Sequence, residues 1–215
     1  MSRRLLLATV LLGVAGWWYS PVSPRVPTAP AVAAGGPIEC PAPPTVVPGA
    51  PPLQSRVPGA LRPMALASAT LHPLAGFSID ARVLSRRDYR SGREAEYSPT
   101  DLALGWLRMR EDAVLSRLRI SQSSRWYRYR WQDQPPLPPE EIVRSSANMH
   151  MIPASASAAA ALAGVDAGDD VRIDGWLVEV RARDGWRWRS STTRADTGDG
   201  ACEVVLVCSI SVREP

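Results

Sequence analysis

Gly168-Asp169-Asp170-Val171-Arg172-Ile173-Asp174-Gly175-Trp176-Leu177-Val178, continued by Glu179 and Val180, carries the clearest β signal in the chain. Val171 and Ile173 share one parity, as apolar residues do on one face of a strand. After Gly175 the parity changes to Trp176, Val178 and Val180. A change of phase at a glycine is what a β-bulge or a barrel kink produces. Asp184-Gly185 then predicts a hairpin turn. Trp186 and Trp188 alternate with Arg187 and Arg189, and Cys202 to Val212 supplies a last strand.

Upstream, Phe77, Ile79, Ala81 and Val83 alternate with polar residues and predict a half-buried strand. Arg90 to Thr100 reads as a loop, Pro99 to Trp106 as a helical turn and Glu111 to Ser116 as a short helix. Arg119 to Gln122 and the aromatic, arginine-rich run Arg125-Trp126-Tyr127-Arg128-Tyr129-Arg130-Trp131 suit strands. Pro139 with Glu140 and Glu141 marks a helix start, proline at the first position and acids in the first turn. Ser155 to Ala163 predicts an alanine-rich helix, capped by Ser155 and stopped at Gly164.

Toward the other end, Arg3 and Arg4 precede an apolar run from Leu5 to Tyr19 that closes on Trp17, Trp18 and Tyr19. Fifteen helical residues cover about 22 Å, short of the ~30 Å hydrocarbon core, which suits a signal peptide. Terminal aromatics that seat at the headgroup level favour an uncleaved signal-anchor instead, and the small-x-small site Ala31-Val32-Ala33 is distant. Residues 1–20 are therefore expected to be a signal-anchor, with a cleaved signal as the alternative. The positive-inside rule puts the rest of the chain outside. The expected location is a bacterial inner membrane, single-pass, with the C-terminal domain in the periplasm.

Fourteen of the 21 prolines fall between Pro21 and Pro73. Residues 21–73 are expected to be a disordered Pro/Ala-rich linker, reaching ~170 Å extended or ~40 Å as a coil, with the less proline-rich Leu61 to Leu71 packing loosely on the domain, and residues 74–215 the folded domain. All 25 basic residues are arginine, and the net charge of +4 permits anionic partners without demanding them. Cys202 and Cys208 share parity but sit ~20 Å apart along a strand, too far to bond each other. They read as small core residues, whereas Cys40 has either another chain or a buried partner open to it.

The fold class expected is α+β, mainly β: a small β-barrel with short helices. The Gly168–Val178 stretch resembles the Gly-Asp-x-Val-x-Val-x-Gly pattern common in OB-fold barrels. The element order, three strands, a helical insert and further strands, is also that of an OB-fold. Another small barrel or an α+β sheet stands beside it. Tyr97 to Trp106, Ser146 to Ala154 and Gly185 to Ser191 resemble an uncharacterised group of exported, membrane-anchored bacterial proteins. That resemblance implies no particular activity.

No Gly-x-Ser-x-Gly elbow and no zinc-binding Cys/His spacing is present. The candidate binding residues are Asn148 and His150, with Arg194, Asp196 and Asp199 in a glycine-rich loop. That loop lacks the spacing of an EF-hand or a P-loop. The simpler reading is that Asn148 and His150 hydrogen-bond the backbone and the aspartates shape a turn. No metal or cofactor is expected, and the catalytic residues stay unassigned.

The leading expectation is a membrane-tethered binding or scaffolding module. A small hydrolase or metal-dependent enzyme built on His150 with Asp196 and Asp199 is the alternative. A third reading is anionic-polymer binding through Arg125, Arg128, Arg130, Arg187 and Arg189. The expected partners are the inner membrane, through residues 5–19, and a protein or anionic polymer; export argues against nucleic acid.

Overall fold

The computed structural model describes residues 3–18, 28–33, 38–193 and 202–213. Helix α1 is Arg3–Trp18; no helix among the described residues is long and apolar enough to cross a membrane. The short strands β1 (Leu53–Ser55) and β2 (Met64–Ala65) precede the long β3 (Ala69–Asp88) and β4 (Thr100–Gly105). An insert follows: α2 (Asp112–Leu115), the hairpin β5 (Leu118–Ser123) and β6 (Trp126–Trp131), and α3 (Pro139–Arg144). Then come β7 (Ser146–Pro153), α4 (Ala156–Ala163), β8 (Asp170–Ala182), β9 (Arg187–Arg189) and β10 (Glu203–Val212). The protein is mainly β, with short helices.

Strand pairing runs β3 to β4, β4 to β7, β7 to β10, β10 to β8, and β8 back to β3. Among the described residues only β7 and β10 pair in parallel. Five strands thus close around one core, made of Phe77, Ile79, Leu102, Leu104, Met149, Met151, Ile173, Val205 and neighbours. Helix α4 contributes Leu162 to it. Its N-cap is the expected Ser155, whose hydroxyl accepts from Ala158 N–H at 3.1 Å. Pro139 likewise opens α3 with Glu140 and Glu141 in the first turn.

Three expectations are corrected. The segment Pro99–Trp106 forms β4 rather than a helical turn, because strands on both sides supply its hydrogen-bond partners and Leu102 and Leu104 fill the core. The parity change at Gly175 is not a change of strand phase. Val171, Ile173 and Leu177 all face the main core, whereas Trp176, Val178 and Val180 belong to a second apolar cluster on the opposite face. β8 simply becomes buried on both faces there. The register shifts fall in its neighbours, at Pro73/Ala75 of β3 and Val207/Ser209 of β10.

The third correction concerns what covers that second face. It is the proline-rich stretch read as linker. Met64 and Leu66 are buried in the cluster, with Ile38, Cys40, Val57 and Leu61 packed against it. β1 pairs with β3, and β3 itself starts at Ala69 rather than near residue 74. Trp176 Nε1 donates to Pro41 O at 2.9 Å. Cys40 is disulfide-bonded to Cys208, with Cα atoms 5.3 Å apart, so Cys208 is a crosslink and not a small core residue. Prolines remove a ladder donor at their own positions but do not keep the segment from short pairings or from packing on an apolar face.

Gly175 keeps its role in a different form. A Cβ built there would lie 2.0 Å from Leu206 O on β10. Gly175→Ala should therefore destabilise the domain by about 2 kcal/mol, since backbone must shift to admit the methyl group. Urea denaturation measures this; a loss below ~0.5 kcal/mol would mean that β10 yields freely.

A buried acid also holds the covering segment. Asp80, 1 % exposed, accepts from Gly49 N–H at 2.8 Å, Arg213 at 2.9 Å and Arg110 at 3.1 Å. Burial alone would raise its pKa; the Gly49 amide and the two guanidiniums outweigh that and hold it below the usual carboxylate range. Its contribution is complete above the unfolded-state pKa of ~3.9 and lost as pH falls through the lower folded value. Stability should fall with acidification below about pH 4, with a shallower fall in Asp80→Asn. Identical acid limbs in the two proteins would refute the assignment.

Candidate functional site

Because β4 and β7 run antiparallel with Asp101 opposite His150 and Ala103 opposite Asn148, one outward face carries an acid, an imidazole and an amide side by side. Asp101 is wholly buried and His150 is 3 % exposed. Asp101 Oδ1 lies 2.9 Å from His150 Nδ1, and Oδ2 accepts from Asn148 Nδ2 at 3.2 Å. The strand period of two selects this set, while Leu102, Met149 and Met151 point into the core.

The third partner comes from the hairpin. Ser124 and Arg125 form its two-residue turn, with φ of +51° and +67°. A primed turn needs positive φ at both positions, which glycine and asparagine take most readily. Two non-glycine residues there store backbone strain, which the contacts of Arg125 must offset. Its Nη1 donates to Asp101 Oδ1 at 2.6 Å. Its backbone N–H donates to Tyr89 Oη at 3.0 Å, and its carbonyl accepts from Asn148 Nδ2 at 3.0 Å. The guanidinium carbon sits 3.8 Å from the Tyr89 ring centroid and 5.9 Å from that of Trp188. Gln122 Nε2 completes the docking by donating to Asn148 Oδ1 at 2.6 Å. Burial pushes the Tyr89 hydroxyl above its ordinary pKa, so it stays protonated as it accepts from Arg125.

Tyr89, Arg125 and His150 line a cleft of about 530 Å³ with Ser91, Glu94, Ser124, Trp126, Trp188, Arg189 and Cys202, and Asp101 lies buried behind them. The Trp188 ring packs against that of His150, tilted by 45° with centroids 4.7 Å apart. Cys202 retains its thiol. A buried carboxylate held to one imidazole nitrogen orients the ring, an arrangement that serves either ligand binding or general-base chemistry. Among the described residues no three His, Cys, Asp or Glu side chains gather as a metal donor set.

Of the expected site residues, Asn148 and His150 are brought together here. Arg194, Asp196 and Asp199 lie outside the described residues. Of the five arginines of the polymer reading, Arg125 and Arg189 line this one cleft. Arg125 turns inward, Arg128 and Arg130 are exposed on the hairpin, and Arg187 and Arg189 are exposed on β9. Asp101, Tyr89 and Trp188 were not foreseen as site residues. The available signal for Asp101 was an acid alternating with Leu102 and Leu104, obscured by the resemblance of Pro99-Thr100-Asp101 to a helix start. No family model, curated protein or solved structure matches the chain.

Proposed function

We propose that this chain is an extracytoplasmic binding module, tethered to a bacterial inner membrane by residues 5–19, and that its barrel is OB-like. The helix between the third and fourth barrel strands, α4 between β7 and β8, agrees with that reading. OB-folds bind on the face of strands two and three and in the loops joining strands one to two and four to five. Here those positions supply Asp101, His150, Tyr89, Glu94 and Trp188. The observation that carries the proposal is this convergence of two loops and the hairpin tip on one cleft over a buried acid.

An alkaline phosphatase fused after Pro215 tests the placement. Enzymatic activity in intact cells, pelleting with membranes, is the expected result. An inactive or freely soluble fusion would overturn the tether.

The Asp101–His150 pair also favours a second reading, a small hydrolase with His150 as base. It requires turnover of an activated ester such as p-nitrophenyl acetate that falls at least ~100-fold in His150→Gln. Equal slow hydrolysis by both proteins would remove it.

A further inference from the structure

We propose that the cleft takes an acidic sugar unit, its carboxylate bonded to Arg125 and its ring laid on Trp188; this rests on the binding-module reading. The starting point is Arg125 Nη2, which is buried and has no acceptor among the described residues. The guanidinium spends Nη1 on Asp101, and the Tyr89 ring beneath fixes its plane. A cationic N–H shielded from water and left unpaired is costly, and a ligand oxygen reaching it would form a charge-assisted bond in a low-dielectric setting. The contacts to Asp101 and Tyr89 keep this fork in place before any ligand arrives.

The remaining walls specify the rest of the ligand. Asp101 is saturated by Arg125, His150 and Asn148, so it offers little to an incoming donor. Glu94 and Arg189, the other charged groups lining the cleft, oppose each other in sign, and Ser91 adds a hydroxyl. Such a cleft is not a general anion trap. It matches a molecule with one acid group and several hydroxyls. Trp188 offers an aromatic face to the apolar side of a sugar ring, and 530 Å³ lies in the range of small-ligand pockets.

The test uses the full chain in detergent, with glucuronate and glucose as paired probes that differ in the carboxylate, and inorganic phosphate as a third. Calorimetric titration should show glucuronate bound at least about tenfold more tightly than glucose. Arg125→Lys, which keeps the ion pair with Asp101 but has no fork, should bring that ratio close to one with the thermal midpoint preserved. Trp188→Ala should weaken both sugars. Equal affinity for the two sugars, a preference that survives Arg125→Lys, or binding of neither sugar would overturn the proposal. Phosphate binding as tight as glucuronate would overturn it too, since the ring would then contribute nothing. None of these outcomes touches the phosphatase-fusion result, so failure of the ligand assignment and failure of the tether are separable.

Discussion

Asp101→Ala is expected to cost about 3–5 kcal/mol of domain stability, the penalty typical of removing one partner from a buried ion pair. Asp101 is wholly buried and accepts from three side chains: Arg125, His150 and Asn148. Without it, Arg125 keeps a guanidinium inside the protein with no counter-charge on β4. The strained turn at Ser124 and Arg125 then loses the contact that best offsets it. The hairpin should lift, and trypsin should cut after Arg125, a bond the docked hairpin shields. Asp101→Asn, which keeps the shape and an acceptor oxygen, should fall between the wild type and the alanine variant. Denaturant titration with timed proteolysis reads both effects. A loss under ~1 kcal/mol with Arg125 still protected would show that the hairpin docks through its aromatic face alone.

Breaking the Cys40–Cys208 bond should cost about 2–5 kcal/mol, the usual range for a native disulfide in a small domain. The crosslink joins residues 168 positions apart, so its removal frees a long loop in the unfolded chain. Its local effect is more specific. Cys40 begins the segment that covers Trp176, Val178, Val180, Val204 and Leu206. In Cys40→Ser, or after reduction, residues 38–66 should become protease-sensitive and the exposed cluster should bind an apolar dye. The thermal midpoint of the wild type should fall on adding reductant, while that of Cys40→Ser should not respond. An unchanged midpoint and no dye binding would show that packing and the Asp80 contacts suffice to hold the segment.

Part of the proline-rich stretch expected to be free is laid along β3, β8 and β10, and Val32 bridges Leu66 as well. Under the proposed tethering, such a linker would place the domain closer to its membrane attachment than a ~54-residue coil would. The disulfide between linker and barrel fits an exported chain, since such bonds persist in oxidising compartments.

Much of the β framework was legible from residue order. The alternation of Phe77 to Val83, the strands at Arg119 to Gln122 and in the arginine–aromatic run to Trp131, the cap at Ser155 and the proline start of α3 are local signals, and each formed its expected element. β4 and β7 were not legible. Their residues are short, mixed and partly polar, and become strands because each supplies the other's hydrogen bonds. The candidate pair Asn148 and His150 was visible as chemistry-bearing residues, but their partner Asp101 lies 47 and 49 positions away.

By itself, then, the sequence determined the β-rich class, the short capped helices and the polar residues of β7, because propensity, capping and alternation act over a few residues. The stretch around Gly175 shows where that information stops. It revealed a change in which side chains are apolar but not its cause. Only the tertiary structure decided that β8 stays in phase and gains a second buried face. The cover comes from a proline-rich segment more than a hundred positions earlier, and a strand reports that its faces are apolar without reporting what lies against them. The same holds for the site: Arg125, Asp101 and Trp188 meet through turn geometry and strand register, which long-range pairing alone sets.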